Sequence, residues 1–290
     1  MEGVRYVIAV LLAAVLFGTT GTSQALGPEG TTPFSVGAVR LAIGGTVLGV
    51  LAFLLAGRRR RRTDAAPPRR RLDARSALLM AATGASLWAY QPLFFFGTER
   101  NGVAVGTVVA LGSAPIMAGL LEWAVRRRRP TLVWMGATAL ATAGVALLAL
   151  GGGEATGADP LGLLGSLGAG GTFAIIANAQ RRLLDDGWDP FTVVGAMGIT
   201  SAVPALVSLP FLHLGWAASP LGVTVVLWLG LATITAAYAM FTWGLSGLTA
   251  ATAATLTLAE PLTAALLGFS SSASSSRRWR SRASSCSRAA

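Results

Sequence analysis

Apolar runs of about 20 residues recur from one end of this 290-residue chain to the other. Each is long enough to cross roughly 30 Å of hydrocarbon as a helix. In lipid, every backbone polar group has to be satisfied within its own element, which leaves helices as the spanning form here. Nine spans are readable: Val7–Leu26, Phe34–Gly57, Ser76–Phe96, Val103–Val125, Leu132–Leu150, Leu161–Gln180, Phe191–Leu214, Leu221–Gly244 and Thr249–Phe269. The fold class is therefore all-α, a polytopic membrane helix bundle. Charged residues make up only 12% of the chain, against about 25% in a soluble domain.

The charges that remain are sorted. Sixteen arginines fall in alternate loops: Arg5, Arg58 to Arg62, Arg69 to Arg71, Arg75, Arg126 to Arg129, Arg181 and Arg182. The intervening loops carry one, Arg100. Positive-inside sorting places the N-terminus and the arginine loops in the cytoplasm of a multi-pass inner (plasma) membrane protein. The net charge of +11 is thereby a topology signal, and nucleic acid is not an expected partner. The lipid bilayer is one, and anionic headgroups are a secondary reading of the arginine runs. A single cysteine, Cys286, excludes an internal disulfide. With His213 as the lone histidine, no metal site of the usual ligand set is expected. No cofactor motif is visible either; Gly168-Ala169-Gly170-Gly171 follows no strand, so it is no dinucleotide loop.

The two halves resemble each other. Ala104 to Leu121 aligns without gaps on Ala250 to Leu267, matching Pro115 with Pro261 and Ala118 with Ala264. Phe34-Ser35-Val36 pairs with Phe191-Thr192-Val193, and Tyr90 with Tyr238, in the same order. The expected organisation is a first repeat of five helices over residues 1–150 and a second over 158–269 with four. An odd helix number inverts the second repeat, which places a solute site near the midplane between the halves.

Four short motifs carry a family resemblance: Phe17-Gly18, Arg40-Leu41, Ala114-Pro115 and Leu258-Ala259-Glu260-Pro261. From about Val7 to Gly268 the chain resembles the drug/metabolite transporter superfamily in its EamA-type branch. The resemblance implies two inverted five-helix repeats with both termini cytoplasmic. It also implies movement of amino acids, metabolites, sugars or drugs, frequently outward. Two departures stand out: no helix follows span nine, and the basic run Arg126 to Arg129 replaces the family's Gly-Glu pair after span four.

Ionisable groups deep in a membrane are costly and face a partner, the bundle interior or a water-filled path. Arg40 lies about 9 Å into span two at about 1.5 Å per residue. Glu260 lies near the midplane of span nine, where the first repeat has Ala114. Both are candidates for substrate contact or proton coupling; their structural alternative is a mutual ion pair, or capping of backbone freed by Pro261. Gln91 beside Trp88 and Tyr90, Asn178, and Tyr238 with Trp243 complete the candidates, since aromatic walls with a few polar groups suit an amphipathic solute. Pro115 and Pro261 are the expected helix breaks. Trp123, Trp134, Trp188 and Trp216, at span ends, are expected interface anchors.

The functional expectation is a secondary transporter, an exporter of a small metabolite, amino acid or drug-like solute working by alternating access, with a homodimer as one assembly open to it. No Walker motif is visible. A membrane-embedded enzyme would need a cluster of catalytic polar groups at one interface, which the sequence does not display; a non-transporting scaffold would leave the repeat without a use. The stretch 270–290 is aberrant: rich in Ser and Arg, with five arginines on the wrong side. With G or C assumed at third codon positions, a displaced frame reads as apolar, and one choice of serine codons puts a Gly-Glu pair near its start. The expectation is a frame-shifted chain whose tenth helix is missing.

Overall fold

The computed structural model describes residues 2–62, 71–127, 131–150 and 159–267. The boundary between the expected repeats, part of the arginine-rich linker, and the Ser/Arg tail lie outside these. The described residues are all helical, with no strand among them. The helices are α1 Glu2–Ala25, α2 Pro33–Arg62, α3 Ala74–Arg126, α4 Leu132–Leu150, α5 Pro160–Asp185, α6 Pro190–Ser208, α7 Pro220–Leu227, α8 Ala237–Leu245 and α9 Ala250–Leu256. Among the described residues seven helical stretches are long and apolar enough to span a membrane. Two expected spans take another form. Ser76–Phe96 is the first arm of the long α3, and its Trp88, Tyr90 and Gln91 reduce its hydropathy; span five is α4, whose strongly apolar part is Leu132–Gly144.

The helix starts are written locally. Asp159, Asp189 and Ser219 each cap a helix through a side-chain oxygen, and each is followed by a proline at the first helical position. Such a cap satisfies an otherwise orphaned N–H, and a proline there gives up no bond. Asp73 caps α3 by accepting from the Ser76 N–H at 3.1 Å.

Three departures from regular helix shape the bundle. Gly102, at φ 77° and ψ 156°, turns α3 back on itself. A side chain there would meet nothing, so glycine is required by the positive φ alone. Trp228–Ala236 winds as a π-helix between α7 and α8. Thr235 marks it by donating both to Gly230 five residues back and, at 3.0 Å, to the Gly44 carbonyl of α2. The last span breaks at Thr257 and Leu258, where tight bonds from Leu258 to Thr255 and from Glu260 to Thr257 replace the regular ladder. Helix resumes over 259–267.

Small residues set the packing. A Cβ on Gly45 would stand 2.7 Å from the Gly198 carbonyl, and one on Gly198 would stand 2.6 Å from the Gly45 carbonyl. Gly49 meets Ile199 and Gly195 meets Ala52, so α2 and α6 cross in opposite directions with their backbones in contact. Close approach through small residues is the usual way helices associate in lipid. Helix α5 lies against both arms of α3. Gly162 meets Arg100 and Gly168 meets Leu93, antiparallel to the first arm; Gly170 meets Ser113 and Asn178 reaches Ala118, parallel to the second. The shared core includes Val10, Leu41, Leu87, Ile176, Met197 and Phe241. Leu132, Val133 and Phe211, each more than 80% exposed, face outward as lipid-facing side chains do.

The helix ends fall into two groups. At one end, Tyr6 packs on Trp243 and against Gly247, and Trp188 donates to Ser76. At the other, Trp228 donates to Thr19, Trp216 to Ser35 and Arg100 to Asp159. Tryptophans expected at the lipid interface are therefore partly internal. Trp188 and Trp216 are buried with their indole N–H groups bonded to serines, and Trp134 donates to Thr255 at 3.1 Å. Each found a buried hydroxyl, which satisfies its donor as well as the headgroup region would.

Candidate solute-binding site

Two of the four short motifs, Phe17-Gly18 and Leu258-Ala259-Glu260-Pro261, meet in space. Gly18 on α1 leaves room for the second part of the last span: a Cβ there would stand 2.6 Å from the Glu260 carbonyl and 2.7 Å from Thr263. Phe17 meets the Tyr238 ring edge-on at 5.0 Å. Leu41 is fully buried beside Arg40, and Ala114 packs where Gly170 of α5 crosses α3.

Arg40, Tyr90, Tyr238 and Glu260 gather in one region of the bundle, although they come from α2, α3, α8 and the last span. Arg40 is only 8% exposed, yet its Nε and Nη1 have no hydrogen-bond partner. No ion pair among the described residues joins it to Glu260. Glu260 follows the break at Thr257 and Leu258 directly. Gln91 is 2% exposed; it packs over Gly37, one turn from Arg40, and its Nε2 is also unpartnered. Tyr90 stacks on Phe94 at 5.5 Å, and Tyr238 leads to Phe241 and Phe173. Trp88 is half-buried against the same core. The arrangement sets a cation, an amide donor and a carboxylate apart from one another among aromatic rings.

Two other candidates lie elsewhere. The Asn178 amide bridges helices, donating at 3.0 Å to Ala118 of α3 and at 3.0 Å to Ala174 of its own helix. Trp243 is 40% exposed and packs on Tyr6 at 5.2 Å, at the arginine-bearing end. Pro115 sits inside the second arm of α3, which continues through it, whereas Pro261 follows the broken turn of the last span. Among the described residues, no three His, Cys, Asp or Glu side chains gather to hold a metal ion.

Sequence reading noted Gln180 beside Asn178 near the cytoplasmic end of its span, but two polar pairings stayed unread. Gln180 and Thr242 form a fully buried pair at 2.9 Å, and Gln180 donates onward to the Met197 sulfur. Glu122 of α3 accepts from the Ala251 N–H at 3.0 Å, at the start of α9. Polar side chains spaced singly in apolar helices gave no pattern that would pair them.

A family model for EamA-like transporters matches residues 4–150, half of the chain. The chain belongs to the EamA-like transporter family. It is 42% identical over 271 residues to "Uncharacterized transporter YwfM" of Bacillus subtilis (strain 168), covering 92% of this chain and 86% of that protein. A crystal structure with 20% sequence identity matches 90% of this chain and 86% of its own with a TM-score of 0.70, which shows the shared fold. The EamA assignment, the drug/metabolite transporter superfamily and the multi-pass membrane character thus rest on sequence relatives and on the seven apolar helices together.

Proposed function

We propose that this EamA-family transporter is a secondary exporter of a small metabolite, amino acid or drug-like solute, working by alternating access. It does not act as an enzyme. The observation that carries the reading is Arg40: a buried guanidinium with two unpartnered nitrogens, beside Gln91 with an unpartnered amide and apart from the carboxylate of Glu260. A buried charge without a partner is expensive to maintain. A solute bearing an anionic or strongly accepting group would supply what Arg40 and Gln91 lack, and Glu260 would take a cationic group or a proton. Tyr90, Tyr238 and Phe17 would hold its apolar body.

A helix broken beside the binding groups supports the same reading, since exposed backbone at a mid-membrane break is a common feature of transporter sites. The backbone contacts of α2 with α6 and of Gly44 with Gly230 offer smooth surfaces for sliding between outward and inward states. The two repeats act as the moving bodies, with the second inverted relative to the first. The N-terminus and the arginine-bearing ends face the cytoplasm. A metabolite and drug tolerance screen in cells expressing the protein tests the export reading. Protection against at least one solute, abolished by Arg40→Gln, is expected; sensitisation instead would mean uptake.

A further inference from the structure

We propose that this protein holds an anionic phospholipid of the arginine-side leaflet in a lateral groove between α2, α3 and α6, away from the solute site. The groove is a cavity of about 680 Å³ walled by Phe53, Gly57, Leu72, Met80, Trp188 and Ile199, among others. That volume is in the range of roughly 300–1,000 Å³ typical of ligand pockets. Its walls are almost entirely apolar. Of the polar groups along them, the Trp188 indole donates to Ser76 at 3.2 Å and the Thr200 hydroxyl donates to the Ala196 carbonyl at 2.7 Å, which suits the slot to an apolar guest. Phe53 is 46% and Leu72 63% exposed, and Val50 and Leu54 beside them are also exposed, so the groove opens toward the hydrocarbon. An acyl chain matches such a slot, and every methylene it buries there adds to the binding.

The charge at its mouth selects the headgroup. Gly57 ends the lining of α2, and the run Arg58 to Arg62 begins at the next residue. Arg71 immediately precedes the lining residue Leu72, and Arg75 lies two residues before Ala77, which also lines the groove. Between positions 58 and 75 the chain has nine arginines and two aspartates, and one of those, Asp73, is committed to capping α3. Arg58, Arg71 and Arg75 are exposed and make no ion pair among the described residues. An apolar slot beneath unpaired guanidinium groups is the complement of a phosphate joined to an acyl chain.

The test uses the full chain purified in detergent. Its binding of phosphatidylglycerol and of phosphatidylcholine with identical acyl chains is measured by native mass spectrometry and by the shift in thermal unfolding. Glycerophosphoglycerol, the same headgroup without chains, is the third probe. Phosphatidylglycerol should bind more tightly than phosphatidylcholine. Arg58→Gln, Arg71→Gln and Arg75→Gln should each weaken that preference about fivefold, the equivalent of about 1 kcal/mol per charge near the surface. Ala81→Phe, at an exposed groove position, should weaken binding of both lipids while leaving the lipid-free unfolding temperature unchanged. Equal binding of the two lipids, or no effect of the arginine variants, would overturn the headgroup assignment. Unchanged lipid affinity in Ala81→Phe would overturn the groove. A shift produced equally by glycerophosphoglycerol would make the ligand a free anion and overturn the lipid.

Discussion

No ion pair joins Arg40 of α2 to Glu260 of the last span, and two nitrogens of the Arg40 guanidinium are left without a hydrogen-bond partner. A structural pair would have satisfied that guanidinium, since attraction between opposite charges rises steeply as they approach. Held apart, they are available to something else. Glu260→Gln keeps the shape and most hydrogen-bonding capacity while removing the charge. It should leave expression and unfolding temperature near those of the wild type and reduce transport at least tenfold, with any dependence of transport on pH reduced. Normal transport across pH in this variant would remove Glu260 from the mechanism; loss of folded protein would assign it a structural role.

The contact of Gly18 with the backbone of the last span makes a steric prediction. Gly18→Val places a side chain against the Glu260 carbonyl and Thr263. Overpacking of this kind costs about 1–3 kcal/mol. Thermal unfolding should fall and transport with it. Gly21→Val, three residues along the same helix with nothing within 4 Å, is the matched control and should change neither. Equal effects at the two positions would mean that helix propensity, not contact, decides.

Arg100 and Asp159 clasp α3 to the start of α5 at the end opposite the arginine runs, with an ion pair of 2.7 Å. The hydrogen bond from Arg100 is the main cause that holds the Asp159 carboxyl below its ordinary range, helped by the backbone N–H groups of Leu161 and Gly162. A depressed carboxyl stabilises the fold fully above its unfolded pKa of about 3.9 and loses that contribution as pH falls through the folded value. The pair is partly exposed, so the effect should be small. Asp159→Asn should lower the unfolding temperature slightly at pH 7. The difference from wild type should shrink as the pH is taken below about 4. A difference that persists unchanged in acid would assign the loss to the helix cap instead.

The arginine asymmetry makes a prediction about topology. Single cysteines at Arg60 and Arg128 should resist a membrane-impermeant thiol reagent in whole cells and react once the membrane is permeabilised. The background for this is a chain whose one cysteine, Cys286, is changed to serine. Labelling of both in intact cells would reverse the orientation.

How much of this was legible beforehand depends on how local its cause is. The spans were readable because apolar length is a property of the residues themselves. Arg40 and Glu260 stood out as costly ionisable groups inside apolar spans, and Tyr90 and Tyr238 as aromatic residues in matching regions of the two repeats. Asn178 and Trp243 looked the same in sequence, but helix rotation sends one into a helix–helix bridge and the other to Tyr6. The π-helical turn at Trp228–Ala236 and the reversal at Gly102 depend on tertiary partners or a single dihedral angle. Neither leaves a periodic trace. The buried tryptophans were misplaced for the same reason: being at a span end does not say whether lipid or a neighbouring helix covers the ring.

The account stands on transport through the Arg40 site. Its most direct test is flux into and out of proteoliposomes containing the purified chain, using a solute that the tolerance screen identifies. Wild-type protein should move the solute faster than protein-free vesicles, without ATP. Arg40→Gln, correctly folded, should lower that flux at least tenfold. Wild-type flux no greater than that of empty vesicles, or flux untouched by Arg40→Gln, would contradict it.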